Sequence, residues 1–136
     1  MKRRIAAAIL VTLLPLGMAA CGSQSKADAC KLLEKPLNDA GLALVNSAQN
    51  GDATSIADTY ATFATTYEEA SKKITNTEIK PAVDQVAADW RNLADHADAL
   101  ASMDPAKTVE FTQIAEDLNT HQNALLETCG LPNGGK

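Results

Sequence analysis

Apolar side chains recur along this chain at the three- and four-residue steps of an α-helix, in four separate stretches. From Asp28 to Gln49, the residues Leu33, Leu37, Ala40, Leu44 and Ala48 share one helix face. Pro36 removes a backbone donor inside this stretch and predicts a kink, or a short helix followed by a second. Gly41 weakens it further, by about 1 kcal/mol relative to Ala. Asn50-Gly51-Asp52 is a turn signal. A second helix is predicted from Ala53 to Ile74, with the cleanest stripe in the chain: Ile56, Tyr60, Phe63, Tyr67, Ala70 and Ile74. Its threonines are mediocre helix formers, so packing must hold it.

Thr75 and Glu78 have the spacing of a capping box, and Pro81 falls near the first turn of the helix they would open. That third helix is expected to reach about Ser102, with Val83, Val86, Trp90, Leu93, Ala97 and Leu100 on its apolar face. Asp104-Pro105 then pairs an N-cap residue with a proline suited to the first helical position. Phe111, Ile114, Leu118 and Leu125 form the fourth stripe, and Gly130 stops it. No stretch alternates as a strand would. Four helices joined by short turns predict an all-α, antiparallel up-down-up-down four-helix bundle with a kinked first helix.

The first residues follow another pattern. Lys2, Arg3 and Arg4 precede an apolar run from Ile5 to Leu14, then Pro15, Gly17 and small residues. This is the layout of a secretory signal, and the run is shorter than the ~20 residues a spanning helix needs. Met18-Ala19-Ala20-Cys21 resembles the lipobox of bacterial lipoproteins, with Met18 where leucine is usual. The resemblance implies that residues 1–20 are removed and that Cys21 carries lipid, diacylglycerol with acyl chains such as palmitate. It implies a membrane anchor at the extracytoplasmic face or in the periplasm. Two or more acyl chains hold stably, at about 0.8 kcal/mol per buried methylene. Residues 21–27 then form a lipidated tether, 28–130 the bundle and 131–136 a flexible tail.

Export changes the reading of the cysteines. With Cys21 lipidated, Cys30 and Cys129 are left in an oxidising compartment, where two thiols become a disulfide. No Cys-x-x-Cys offers a metal or redox alternative. In an up-down-up-down bundle the start of the first helix and the end of the fourth lie at the same end, so the bridge and the helix count support each other.

The whole chain has 136 residues and a net charge of −5; without residues 1–20 it keeps 9 basic and 17 acidic residues, a net −8. That balance, with aromatics at only 4%, argues against nucleic-acid binding. It also means that attachment to an anionic membrane comes from lipid and not from a basic patch. Residues 78–127 hold 10 acids and 3 bases, which would suit an envelope protein with a basic surface or simply keep the chain soluble.

Candidate chemistry is sparse. His121 falls on the fourth stripe with Asp117 four residues before it, a pair able to orient an imidazole or hold a metal. The commoner outcome for such a residue is a hydrogen-bonded boundary histidine. His96 lies about 120° around the third helix from Trp90, at a surface or boundary position. Tyr60, Tyr67 and His96 are residue types that ligate haem iron, yet Tyr60 and Tyr67 sit where core packing explains them. Trp90 is core filler or the wall of a ligand pocket. There is no Glu-x-x-His pair, Gly-x-Ser-x-Gly, P-loop or dinucleotide fingerprint. The expectation is therefore no metal, no cofactor and no catalysis, in an interaction or accessory module of the cell envelope. The alternative is a carrier that holds haem, lipid or another apolar molecule between its helices, at Tyr60, Tyr67, Trp90, His96 and His121. A cavity of several hundred Å³ would favour the carrier, and a closed core with a flat acidic face the interaction module.

Overall fold

The computed structural model describes residues 24–50 and 53–132. The signal segment, Cys21 and the last four residues lie outside them. Within them the chain is a helical bundle of four long helices, α1 (Lys26–Asn50), α2 (Ala53–Lys73), α3 (Ile79–Asp95) and α5 (Pro105–Cys129), with a one-turn α4 (Ala99–Ser102) before the last. The described residues contain no strand. The expected disulfide is present: Cys30 near the start of α1 is bonded to Cys129 at the end of α5, with Cα atoms 5.5 Å apart.

The helix ends follow local chemistry. Ser25 caps α1, its hydroxyl accepting from the Asp28 backbone N–H at 3.1 Å while its carbonyl accepts from Ala29 N–H. Helix thus begins two residues before the expected Asp28 and takes Lys26 and Ala27 from the tether. Gln24 is held too, since it exchanges hydrogen bonds with Thr75 and its carbonyl accepts from the Asn76 amide at 2.9 Å. α1 continues through Pro36 to Asn50 as one helix, so the split alternative is not what forms.

In α2 the hydroxyls of Thr59, Thr62, Thr65 and Thr66 each donate to the carbonyl four residues back, and the Thr65 oxygen also accepts from Arg91 of α3 at 3.4 Å. The Thr75–Glu78 capping box does not form. Asn76 does its work instead, its Oδ1 accepting from both Glu78 and Ile79 N–H at 3.0 Å. Thr75 is occupied with Gln24, and the Glu78 carboxylate reaches back to Lys26 Nζ at 3.0 Å.

The third helix stops earlier than its periodicity predicts. Helix α3 ends at Asp95, and from Ala97 to Ala101 the backbone N–H groups of 97, 99, 100 and 101 bond three residues back instead of four. That tightening to 3₁₀ spacing rotates the side chains beyond Asp95 relative to the stripe. Leu100, expected on the apolar face, is consequently 49% exposed, while Ala97 and Ala99 are buried. Met103 takes a left-handed conformation (φ 52°), and Asp104 then caps α5 by accepting from Ala106 N–H at 2.9 Å.

The stripes otherwise meet in one core. Leu33, Phe63, Tyr67, Ile74, Ile79, Val83, Val86, Trp90, Leu93, Leu118 and Leu125 are buried. α2 packs most extensively on α3, α3 on α5 and α1 on α2, whereas α1 meets α5 over few residues. α1 is correspondingly the helix with the least complete cover: Leu42 and Val45 are exposed, and Leu37 and Leu44 only partly buried.

Candidate functional site

The sparse contact between α1 and α5 leaves a cleft of about 520 Å³. Leu37, Ala40, Gly41 and Leu44 line it from α1, Gln122 and Leu126 from α5, and Leu131 and Pro132 from the segment beyond. Trp90 of α3 closes its back, and Glu34 and Asn38 add polar groups. The volume lies within the ~300–1,000 Å³ of small-molecule sites. Sequence periodicity assigned Leu37 and Leu44 to the core. It could not show that their partners on α5 would stand off, because that depends on how the two helices are rotated and spaced.

Two small residues shape the cleft. Gly41 faces open space, with no atom within 4 Å of where a Cβ would sit. Gly130 ends α5 at φ 64°, donating to Glu127 O while Leu131 N–H donates to Leu126 O at 2.9 Å. This paired closure is a Schellman motif, which needs a left-handed residue at that point. It turns the chain so that Leu131 and Pro132, assigned from sequence to a flexible tail, become part of the lining.

Trp90 sits in an aromatic cluster. Phe63 packs on it with ring centroids 4.7 Å apart, Tyr60 at 5.5 Å, and Phe111 joins Tyr60 at 6.4 Å. Trp90 is only 5% exposed, and its indole N–H has no acceptor. The Tyr67 hydroxyl is also buried without a partner, and burial pushes its pKa up to about 12. Burial raises Tyr60 as well. Of the residues singled out from sequence, Tyr60 and Trp90 therefore come together, Trp90 alone lines the cleft, and Tyr67 is enclosed in the core.

Neither histidine lines the cleft. His121 is half-buried, and its partner is not Asp117 of its own helix, which is exposed, but Asp89 of α3, at 2.7 Å. Asp89 is 8% exposed and takes a second hydrogen bond from Gln85 at 3.0 Å. The signal was present: Asp89 stands three residues after Val86 and four before Leu93, on the buried side of α3. His96 is tied through Nδ1 to Asn92 O at 2.8 Å, with its Nε2 3.5 Å from Glu110. Both histidines thus fasten α3 or its C-terminal turn to α5.

One further cluster has the residue types of a nucleophilic site. The Ser71 hydroxyl donates to Asp84 and accepts from Lys80 Nζ at 2.7 Å. Ser71 is 2% exposed, so no substrate reaches its oxygen, and the cluster joins the end of α2 to the start of α3. Among the described residues no three His, Cys, Asp or Glu side chains gather closely enough to hold a metal ion. None of their helices is long and apolar enough to cross a membrane. No protein-family model matches the chain, and neither a curated protein nor a solved structure does.

Proposed function

We propose that this chain is a lipid-anchored envelope protein whose bundle carries a small apolar ligand in the cleft between α1 and α5. Residues 1–20 direct export, Cys21 holds the lipid, and the bundle stands at the extracytoplasmic face or in the periplasm without catalysing a reaction. The observation that carries the reading is the cleft itself: about 520 Å³, largely apolar, and walled by Leu37, Leu44, Leu126 and Trp90. The Cys30–Cys129 bridge supports export, because such bonds persist in oxidising compartments. Native mass spectrometry of protein extracted from its own membranes tests it. A bound mass of small-molecule size supports the carrier, and protein with no such mass in any preparation refutes it.

The reading includes an up-down-up-down course for the four long helices, with α1 bent at Pro36. Pairs between neighbours run in opposite order along the chain: Glu68 with Arg91 and Ser71 with Asp84 between α2 and α3, and Asp89 with His121 and His96 with Glu110 towards α5. The Cys30–Cys129 bond and the Gln24–Thr75 hydrogen bonds then gather at one end, where the tether begins. Distance measurements between spin labels on exposed helix ends check this course.

A second reading is an accessory module that docks a basic envelope protein. It is favoured by the exposed carboxylates of Asp104, Glu110, Glu116 and Asp117 on α5, among which Lys107 is spoken for by Asp98 at 2.7 Å. Reversing Glu116 and Asp117 to lysine should then remove a protein partner from cross-linked membranes. An unchanged partner set sinks this second reading.

A further inference from the structure

We propose that the lysine-bearing end of the bundle rests on anionic phospholipid head groups and holds the bundle upright, with its acidic end turned away from the membrane. This rests on the reading of Cys21 as a lipid anchor and adds an orientation to it. Contacts across the helices gather the lysines at one end. Gln24, where the tether enters α1, exchanges hydrogen bonds with Thr75 just past α2. Lys26 Nζ pairs with Glu78 at 3.0 Å, and Lys80 Nζ donates to the Ser71 hydroxyl at 2.7 Å. Lys31, Lys35 and Lys73 line one groove between α1 and α2, and Lys72 adjoins it in sequence. Six of the nine basic residues that follow residue 20 thus stand where the tether begins. Three residues separate Gln24 from Cys21 and span at most about 10 Å, so this is the end a lipid on Cys21 holds near the bilayer.

Charge is divided along the long axis. Residues 24–36, 68–84 and 127–132, which make up the tether end, hold six basic and seven acidic residues, a net −1. Residues 89–117 hold two basic and seven acidic residues, a net −5. α5 is 25 residues long, so about 37 Å separate its acidic start from its disulfide-bonded end. The field of an anionic surface fades within a Debye length, ~8 Å at physiological ionic strength. A standing bundle keeps its acidic end beyond that reach, and a bundle lying flat brings it within. At the tether end Lys26, Lys31, Lys35 and Lys80 have carboxylate neighbours in Glu78, Asp28, Asp39 and Asp84. Lys72 and Lys73 are exposed in the last turn of α2 and have no ion pair among the described residues, which leaves them to meet lipid phosphates. Because this end is not net positive, attachment itself stays with the lipid, and the lysines set only how the bundle stands.

The full lipidated protein tests this with a fluorescent donor attached through Val109→Cys, a position exposed on α5 about 30 Å from Cys129. It is reconstituted into vesicles of phosphatidylcholine alone, or of equal parts phosphatidylcholine and phosphatidylglycerol, both carrying an acceptor on a lipid head group. At ~0.01 M salt, where the field reaches ~30 Å, energy transfer should be lower in the anionic vesicles by about twofold or more. At ~1 M salt, where the field reaches ~3 Å, the two vesicles should agree. Lys72→Glu with Lys73→Glu takes the tether end from net −1 to −5 and should abolish the low-salt difference. Both side chains are exposed, so the melting temperature should change little. Equal transfer in the two vesicles at low salt overturns the proposal, and so does a difference that survives the double reversal. Flotation separates this from failure of the anchor. Protein that floats with both vesicles but shows no difference in transfer keeps the anchor and loses the orientation. Protein that fails to float with phosphatidylcholine loses the anchor, and this inference with it.

Discussion

Replacing Cys30 and Cys129 together by alanine opens a loop that spans a sequence separation of 99. A closed loop of about that length restricts the unfolded chain by about 4.7 kcal/mol in the chain-entropy account. Cys30 is 6% exposed and Cys129 packs against the core, so losing both sulfurs adds about 1 kcal/mol of lost packing. The expected loss, about 6 kcal/mol, is a large share of the ~5–15 kcal/mol that holds a domain together. In urea, at about 2 kcal/mol per molar, the midpoint should fall by about 2–3 M, read by circular dichroism and by Trp90 fluorescence. The damage should begin in α1, which packs on α2 but meets α3 and α5 over few residues, so its amides should exchange first. A loss below about 2 kcal/mol with an unchanged denaturant slope would refute the reasoning. It would mean that the unfolded chain is already so compact that joining its ends costs it little.

Tyr67→Phe removes a buried hydroxyl that has no partner, so it should raise stability by about 1–2 kcal/mol in the same urea assay. The same tyrosine makes stability depend on alkaline pH. Its folded pKa is raised from 10.0 to about 12, so between those values the unfolded chain releases a proton that the folded chain keeps. Stability therefore declines by about 2–3 kcal/mol on its account across that window, and the Phe variant should lack this component. Asp89→Ala breaks the bonds to His121 and Gln85 and should cost about 1–2 kcal/mol, since both former partners reach water; an unchanged melting curve would show that the pair contributes nothing. Gly130→Ala forces a side chain into the left-handed region at φ 64° and should cost about 1–2 kcal/mol, together with any ligand contact that depends on Leu131.

The helical stripes were legible because their periodicity is a property of single helices, and Phe63, Tyr67, Val83, Trp90 and Leu118 are buried as that periodicity requires. The disulfide was legible from the cysteine count and the compartment that the first residues lead one to expect. What sequence reasoning missed depends on relations between elements. Leu100 leaves the core because three-residue hydrogen bonding after Asp95 changes the rotation, which no stripe records. Asn76 and not Thr75 caps α3 because Gln24 claims Thr75 from far along the chain. His121 finds Asp89 across a helix interface rather than Asp117 along its own helix. The cleft was legible only as a possibility at Trp90. Gly41 reads in sequence as a weakness in a helix, and Leu131 and Pro132 as a tail; only the sparse meeting of α1 and α5 makes them a lining.

The most direct test of the central claim is native mass spectrometry of the protein released gently from its own membranes. The account predicts residues 21–136 plus acyl chains, two hydrogens light for the Cys30–Cys129 bond, together with one further small-molecule mass that Gly41→Leu loses. A bare chain beginning at Cys21, with neither acyl mass nor ligand, would contradict both the anchor and the carrier.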